Sequence, residues 1–315
     1  AASDVYKRQT VGRAYIYRRV RENNMGYKVD NAVIMAAGTS SRFAPLSYEL
    51  PKGLITVRGE ILIERQIRQL RDAGISDIIV VTGYMRERFA YLADKYGVRL
   101  IHNPEYNVRN NSSSIYAVRE YLRNSYICSS DNYFTKNPFE PEAEDAYYSA
   151  VYADGQTAEW CMETGDDGYI NRVHIGGCDA WYMLGHVFWN EKFTDSFLRI
   201  LTREYDREDT AAKLWETIYA EHLGELRLRM RKYAPGVIFE FDSLDELRHF
   251  DTSYISDTRS RIIACIADKL NCPQAEFDHF DVLKAESGNE AIGFSFRRGG
   301  DTYRYIYETK TLTKV

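Results

Sequence analysis

A chain of 315 residues with 44% hydrophobic and 28% charged side chains can build one large core plus an appendage, and it reads as soluble and globular. Its net charge of -5 gives no general pull toward nucleic acid or an anionic membrane, so any phosphate ligand must be held by local cations and a small-molecule partner is expected. Five scattered cysteines with no C-x-x-C pair exclude a disulfide framework and a structural zinc site, and with neither a membrane-length apolar run nor a signal-peptide core the expected location is cytoplasmic.

Residues 1–10, AASDVYKRQT, have no initiating Met and no periodicity, and SDVYKRQ resembles the translated remnant of a sequencing adapter joined to a fragment. Residues 11–30 are basic and tyrosine-rich and read as the remnant of an upstream segment. The apolar run 31–36 then predicts a buried strand, broken by a loop of small residues from Gly38 to Ser41. Ile63, Ile67 and Leu70 repeat at helical spacing over 60–73, and Gly74 ends that helix. A second buried strand, DIIVVT at 77–82, leads through Gly83 into a helix striped by Met85, Phe89, Leu92 and Tyr96. Strand 98–102, helix 113–123 and strand 126–130 follow, the last ending at Asp131-Asn132-Tyr133. This alternation predicts an α/β fold with a mostly parallel, Rossmann-like sheet between two helical layers. Ligands of such sheets sit at the carboxyl ends of the strands, which puts the Gly38 loop, Gly83 and Asp131 along one rim.

After Pro138 the pattern changes to short strand-like pieces at 147–152, 159–163, 170–175 and 183–189, expected to form an antiparallel section laid over the parallel half. Two helices at 191–205 and 211–223 precede strand-like 226–232 and 237–241. A further helix is opened by Asp242-Ser243, with Ser243 and Glu246 forming a capping box. In 252–315 a helix carrying Ile262, Ile266 and Leu270 runs into the hairpin-like FSFRRGGDTYRYIYE, a small α+β appendage.

A strand feeding a loop of Ala, Gly and Ser lets backbone amides approach an anion, and Arg42 and Lys52 lie shortly downstream as phosphate-neutralising cations. The whole string is more specific than the loop. Ala36-Ala37-Gly38, Arg42, Pro45, Pro51-Lys52 and Leu54 resemble the A-A-G-x-G-x-R-x-x-P … P-K-x-L signature of nucleotidyltransferases that join a nucleoside triphosphate to a phosphorylated small molecule. Ser40 stands where that signature has its second glycine, a place serine can take if the backbone is not left-handed. The resemblance implies a nucleotidyltransferase domain at 31–251, with Ala36, Ala37, Gly38, Thr39, Ser40 and Ser41 on the nucleotide, and Arg42, Lys52 and Asp131 as catalytic residues. It also implies Mg²⁺ shared by Asp131 and Asp242, and Gly83, Asn111 and Ser114 near the base. For Asp242 the competing role is an N-cap; for Asn111 and Ser114 it is capping alone.

No E-K-P stretch of the sugar-phosphate enzymes is present. Instead Glu159-Trp160, Trp189 and Trp215-Glu216, with Tyr133, offer aromatic faces and carboxylates suited to a quaternary ammonium. Together these resemble the bacterial choline-phosphate cytidylyltransferases of the Lic type, which implies CTP and phosphocholine as substrates. Acceptors kept beside it are phosphoethanolamine, aminoethylphosphonate and a sugar phosphate, and a catalytically silent nucleotide-binding module is the reading from another class. The order of elements in 252–315 resembles the opening of choline kinase-type domains, without that family's catalytic motifs.

Overall fold

The computed structural model describes residues 26–285 and 291–315, so residues 1–25, which hold most of the two expected remnants, lie outside the described residues. Apolar runs form the parallel strands: β1 (Asn31–Ala36), β2 (Ile78–Thr82), β3 (Arg99–His102) and β4 (Ser125–Ser129), linked by α1 (Leu62–Asp72), α2 (Tyr91–Tyr96) and α3 (Ser112–Ala117). Alternate side chains of these strands enter two separate cores, Val33, Ile79, Val81 and Ile127 on one face and Ala32, Ile34, Val80 and Cys128 on the other. That two-sided burial is what makes the sheet the middle layer of three. Helix α3 stops six residues short of its expected end, the chain turning through residues 118–124 instead. The fold also begins before residue 31, because Tyr27–Lys28 pairs with Glu142–Ala143 and Val29 is buried.

A short strand β5 (Asn132–Phe134) leads to β6 (Tyr147–Thr164) and β7 (Ile170–Trp189). These two long strands each merge two of the expected pieces, and they extend the sheet edgewise rather than lying over it. The seven-stranded order is β8-β6-β7-β4-β1-β2-β3, where β8 is Arg229–Lys232, and β7 pairs antiparallel with β4. Register shifts along the β6–β7 hairpin accompany left-handed positions at Gly155, Gly176, Asp179 and Gly185, the first three of which look like breaks in the sequence. Helices α4 (Glu191–Glu204) and α5 (Trp215–Glu221) cover this half, and strand β9 (Ile238–Glu240) pairs with β5 before α6 (Leu244–Phe250).

The chain ends with α7 (Arg261–Leu270) and a four-stranded antiparallel sheet of β10 (Phe277–Lys284), β11 (Ala291–Arg298), β12 (Asp301–Ile306) and β13 (Thr311–Lys314). Gly299 and Gly300, both left-handed, make the two-residue turn in which Arg298 faces Asp301. This unit shares a third core with Phe43, Ala44, Leu46, Ile55 and Leu62.

His186 of β7 is fully buried, 3.0 Å from the Tyr147 hydroxyl and 3.3 Å from that of Tyr233. Burial, helped by the Arg231 guanidinium, pushes its pKa down to about 3 from 6.5. The unfolded chain therefore binds the extra proton, so the contribution of neutral His186 is complete above pH 6.5 and is lost as pH falls toward 3. Denaturant unfolding at pH 7 and pH 4 is expected to show His186→Gln escaping a loss of about 3 kcal/mol that the parent chain suffers over that interval.

Candidate active site

Strand β1 delivers Ala36 and Ala37 to the rim, where Tyr84 N–H donates to the Ala37 carbonyl at 3.0 Å and Ser130 N–H to that of Met35 at 3.1 Å. The loop after β1 is thereby tied to the ends of β2 and β4. Two glycines are needed for that closeness. A Cβ on Gly83 would stand 2.6 Å from Tyr106 and 2.7 Å from the Ala37 carbonyl oxygen, and one on Gly53 would stand 2.8 Å from the Ser130 side chain. Gly83 is thus placed beside the loop for steric reasons. A cavity of ≈ 190 Å³ opens at these strand ends, lined by Gly38, Ser40, Lys52, Tyr106, Asn111 and Asp131 among others. It continues into a wider groove that adds Thr39, Ser41, Arg42, Tyr48, Asp242 and Tyr307.

Ser40 does not meet the condition placed on it, for its backbone is left-handed (φ 48°, ψ 43°). Its carbonyl accepts from Phe43 N–H at 2.9 Å, opening the turn Ser41–Phe43 that carries Arg42, and the next peptide but one, Ala44–Pro45, is cis. A left-handed L-residue costs about 1–2 kcal/mol, which the buried anchors Phe43, Ala44 and Leu46 hold in place.

Lys52 stands on the turn Lys52–Leu54 with only 6% of its side chain exposed, its Nζ 2.9 Å from Asp131 and 3.5 Å from Asp242. Arg42, 71% exposed, reaches the second oxygen of Asp242 at 2.9 Å. Burial alone lowers the lysine pKa, but Asp131, Glu240 and Asp242 outweigh it and hold the ammonium above its ordinary value. Glu240, crowded first by Asp131, then by burial and Asp242, is held well above the usual carboxylate range. The β5–β9 pairing explains how acids more than 100 residues apart meet: Asn132 faces Glu240 in register, and the Asn132 side-chain amide donates to Glu240 at 3.0 Å. Gln66 of α1 secures the Asp131 turn by donating to the carbonyls of Ser129 (2.8 Å) and Asn132 (2.9 Å). Ser243 takes the cap of α6, accepting from Glu246 N–H, so the Asp242 carboxylate is spared that task. Asp131 and Asp242 each turn a hard carboxylate oxygen toward the Lys52 ammonium, the donor type that Mg²⁺ takes.

On the other wall Asn111 is occupied by structural bonds. Its oxygen accepts from Trp215 N–H at 2.8 Å and its amide donates to Glu216 at 3.0 Å. Ser114 is buried and accepts from Asn103 at 3.2 Å. On this wall sequence reasoning missed Asn103, Tyr106 and Arg109; the Arg109 guanidinium stacks over Tyr205 at 4.1 Å and keeps one buried nitrogen, Nη1, without a partner among the described residues. Their signal was the polar stretch after β3, a connection at the ligand rim.

The aromatic assignments divide. Trp189 and Trp215 are core residues, fully buried and 5.2 Å apart edge to face, with Trp215 stacked on Tyr148. Tyr133 is buried in the C-terminal core, its ring under the Arg65 guanidinium and against Phe250. None of the three can face a head group. Glu216 turns to Asn111 and Tyr148, and burial pushes its pKa up to about 7. Glu159 is exposed at the surface, yet partial loss of water around its carboxyl does most to raise its pKa, and the charges of Asp242, Arg42 and Glu246 also bear on it. Trp160 beside it is half-buried, and Tyr182 of β7, missed from the sequence, senses both Glu159 and Glu240.

The described residues include no helix long and apolar enough to cross a membrane. A sequence model of the MobA-like NTP transferase domain matches residues 32–136. The chain is 33% identical over 220 residues to the choline-phosphate cytidylyltransferase of Streptococcus pneumoniae, spanning 70% of this chain and 96% of that protein. It is 35% identical over 234 residues to the 2-aminoethylphosphonate cytidylyltransferase of Lancefieldella rimae, 73% of this chain and 95% of that one. The solved CTP:phosphocholine cytidylyltransferase of S. pneumoniae superimposes with a TM-score of 0.69, covering 72% of this chain and 99% of its own. With its signature loop, its rim of acids and its length of match, the chain belongs to the nucleotidyltransferase family of the choline-phosphate cytidylyltransferases.

Proposed function

We propose that this nucleotidyltransferase moves the cytidylyl group of CTP onto phosphocholine, forming CDP-choline and releasing pyrophosphate. The observation that carries the reaction is the buried Lys52 ammonium held between Asp131 and Asp242 against the Gly38–Arg42 loop. One bond from the α-phosphorus to the bridging oxygen breaks and one to the acceptor phosphate forms. The acceptor monoester has a second pKa of about 6 and is largely dianionic at neutral pH, so no general base has to be supplied. Holding the two substrates in line and neutralising developing charge then supply most of the catalysis. The loop amides from Ala37 to Ser41, Arg42 and Lys52 bind the triphosphate, and Asp131 and Asp242 hold Mg²⁺, which when bound would neutralise phosphate charge. Glu159, with Tyr182, receives the cationic head, while Trp160 packs against the core on the other face of the sheet and does not join them. A cytoplasmic setting, with small molecules rather than nucleic acid or membrane as partners, completes the reading and is supported by the five free thiols.

A second acceptor class has its own support. The core positions of Trp189, Trp215 and Tyr133 leave carboxylates and, among the described residues, few rings at the head-group end, an arrangement that also suits a primary ammonium, and one 35% identical relative is a 2-aminoethylphosphonate cytidylyltransferase. Pyrophosphate release measured for four NTPs against phosphocholine, phosphoethanolamine, 2-aminoethylphosphonate and a sugar phosphate decides between them. Turnover of another acceptor without phosphocholine turnover overturns the first choice.

Asp131→Asn is expected to lower kcat by about 100-fold or more while calorimetric titration still registers CTP, because the change removes a charge and keeps the shape. Ser40→Gly removes the left-handed penalty, and urea unfolding should show a gain of about 0.5–1 kcal/mol, whereas Ser40→Val should lose more than that.

A further inference from the structure

We propose that the C-terminal unit, residues 252–315, is a positioning element of the donor half-site: through Tyr307 and the N-terminal turn of α7 it holds the segment between Arg42 and Lys52 in the geometry that accepts the nucleoside triphosphate. The proposal rests on the reading of this cleft as a CTP site.

The two cytidylyltransferase relatives are covered almost end to end by alignments of 220 and 234 residues, 70% and 73% of this chain, so more than a quarter of the chain lies outside each match. The C-terminal unit packs on the signature segment.

Three contacts make the attachment. Phe43, Ala44 and Leu46, immediately after Arg42, share one core with Ile263, Ile266, Phe294, Tyr305 and Tyr307. Tyr48 lies flat on Tyr307, ring centroids 3.8 Å apart and planes 7° from parallel. The Glu49 carboxylate, three residues before Lys52, takes the N-terminus of α7: it accepts from Ser260 Oγ–H and from the amides of Arg261 at 2.9 Å and Ile262 at 3.3 Å. A carboxylate at the positive end of a helix is favourable for the helix, and here it also fixes the residue that brings it.

Tyr307 reaches the groove itself, lining it together with Arg42, Tyr48 and Lys52. Its hydroxyl is buried and has no partner among the described residues, so the ring face is its contribution. The segment it supports has two needs for support. Ser40 is left-handed, and Arg42 is 71% exposed, paired among the described residues with Asp242 and aimed by the anchored turn that carries it. Loss of the stack frees the cations to spread over more conformations, which weakens the triphosphate before it touches the acceptor.

The test uses the full chain with Mg²⁺ present, reading CTP affinity by calorimetry and KM for each substrate. Tyr307→Ala should raise the Kd and KM for CTP by about tenfold and leave the acceptor KM within about twofold. Tyr307→Phe should match the parent in CTP affinity and be no less stable, since the hydroxyl it lacks has no partner among the described residues. Glu49→Gln should raise the CTP KM by about two- to fivefold. A folded Tyr307→Ala protein that is merely less heat-stable, with CTP affinity within about twofold of the parent, overturns the proposal. Where that variant does not fold, Glu49→Gln decides by the same readout, an unchanged CTP affinity overturning it. If no acceptor turns over, or the parent binds another NTP in place of CTP, the functional reading fails, and the titration repeated with the bound nucleotide still decides this one.

Discussion

An ammonium group sits almost out of water at the floor of the cleft, and it is there only because three carboxylates surround it. Lys52, Asp131, Asp242 and Glu240 form one electrostatic unit in which no member is tolerable alone: a buried lysine without its acids loses its charge, and crowded acids without the lysine repel. Much of the surrounding architecture serves to assemble that unit. The β5–β9 pairing brings residues 240–242 beside 131, Gln66 fixes the turn that carries Asp131, and Gly53 lets the lysine turn approach Ser130. The concentrated negative charge is a poor place for a triphosphate and a good one for a divalent cation. Metal and nucleotide are accordingly expected to depend on each other at this site.

The parallel half was legible because its physics is local. Runs such as DIIVVT are apolar on both faces, Gly74 and Gly97 are the left-handed stops of their helices, and strand-to-helix alternation leaves few topologies to choose among. The signature string was legible for another reason: small residues, two cations and two prolines stand in it at a fixed order and spacing. The second half was read as fragments because Gly and Asp inside β6 and β7 make bulges, and a bulge has the same composition as a turn. Whether such a residue bends a strand or ends it is decided by the partner strand, which one local stretch does not contain.

The tryptophans show the same limit in the site. Trp189 and Trp215 have the composition of an ammonium cage, yet they pack with Phe193, Phe197 and Tyr148 under the sheet. A large ring beside a carboxylate suits a cation in a cleft and a hydrophobic core equally well, and burial alone separates the two. Asp242 presented the opposite ambiguity. Its position before a helix fits a cap, but Ser243 is one residue nearer to that role and takes it. The capping box was visible in the sequence, yet the cap stayed a competing role for Asp242, and the Ser243 contact to Glu246 N–H is what separates the two.

Ser40 connects these observations to the appended sheet. A left-handed serine in a phosphate loop is a conformation the local sequence disfavours, and a loop of small residues has little packing of its own with which to enforce it. Enforcement has to come from the residues downstream of the loop, and these are Phe43, Ala44 and Leu46, all buried in a core whose other side is the C-terminal unit. A loop with glycine at that position would carry no such penalty and would need no such backing. The departure from the signature at Ser40 and the C-terminal unit packed behind Phe43 are therefore two ends of one physical arrangement, in which local strain in the loop is offset by hydrophobic burial about four residues downstream.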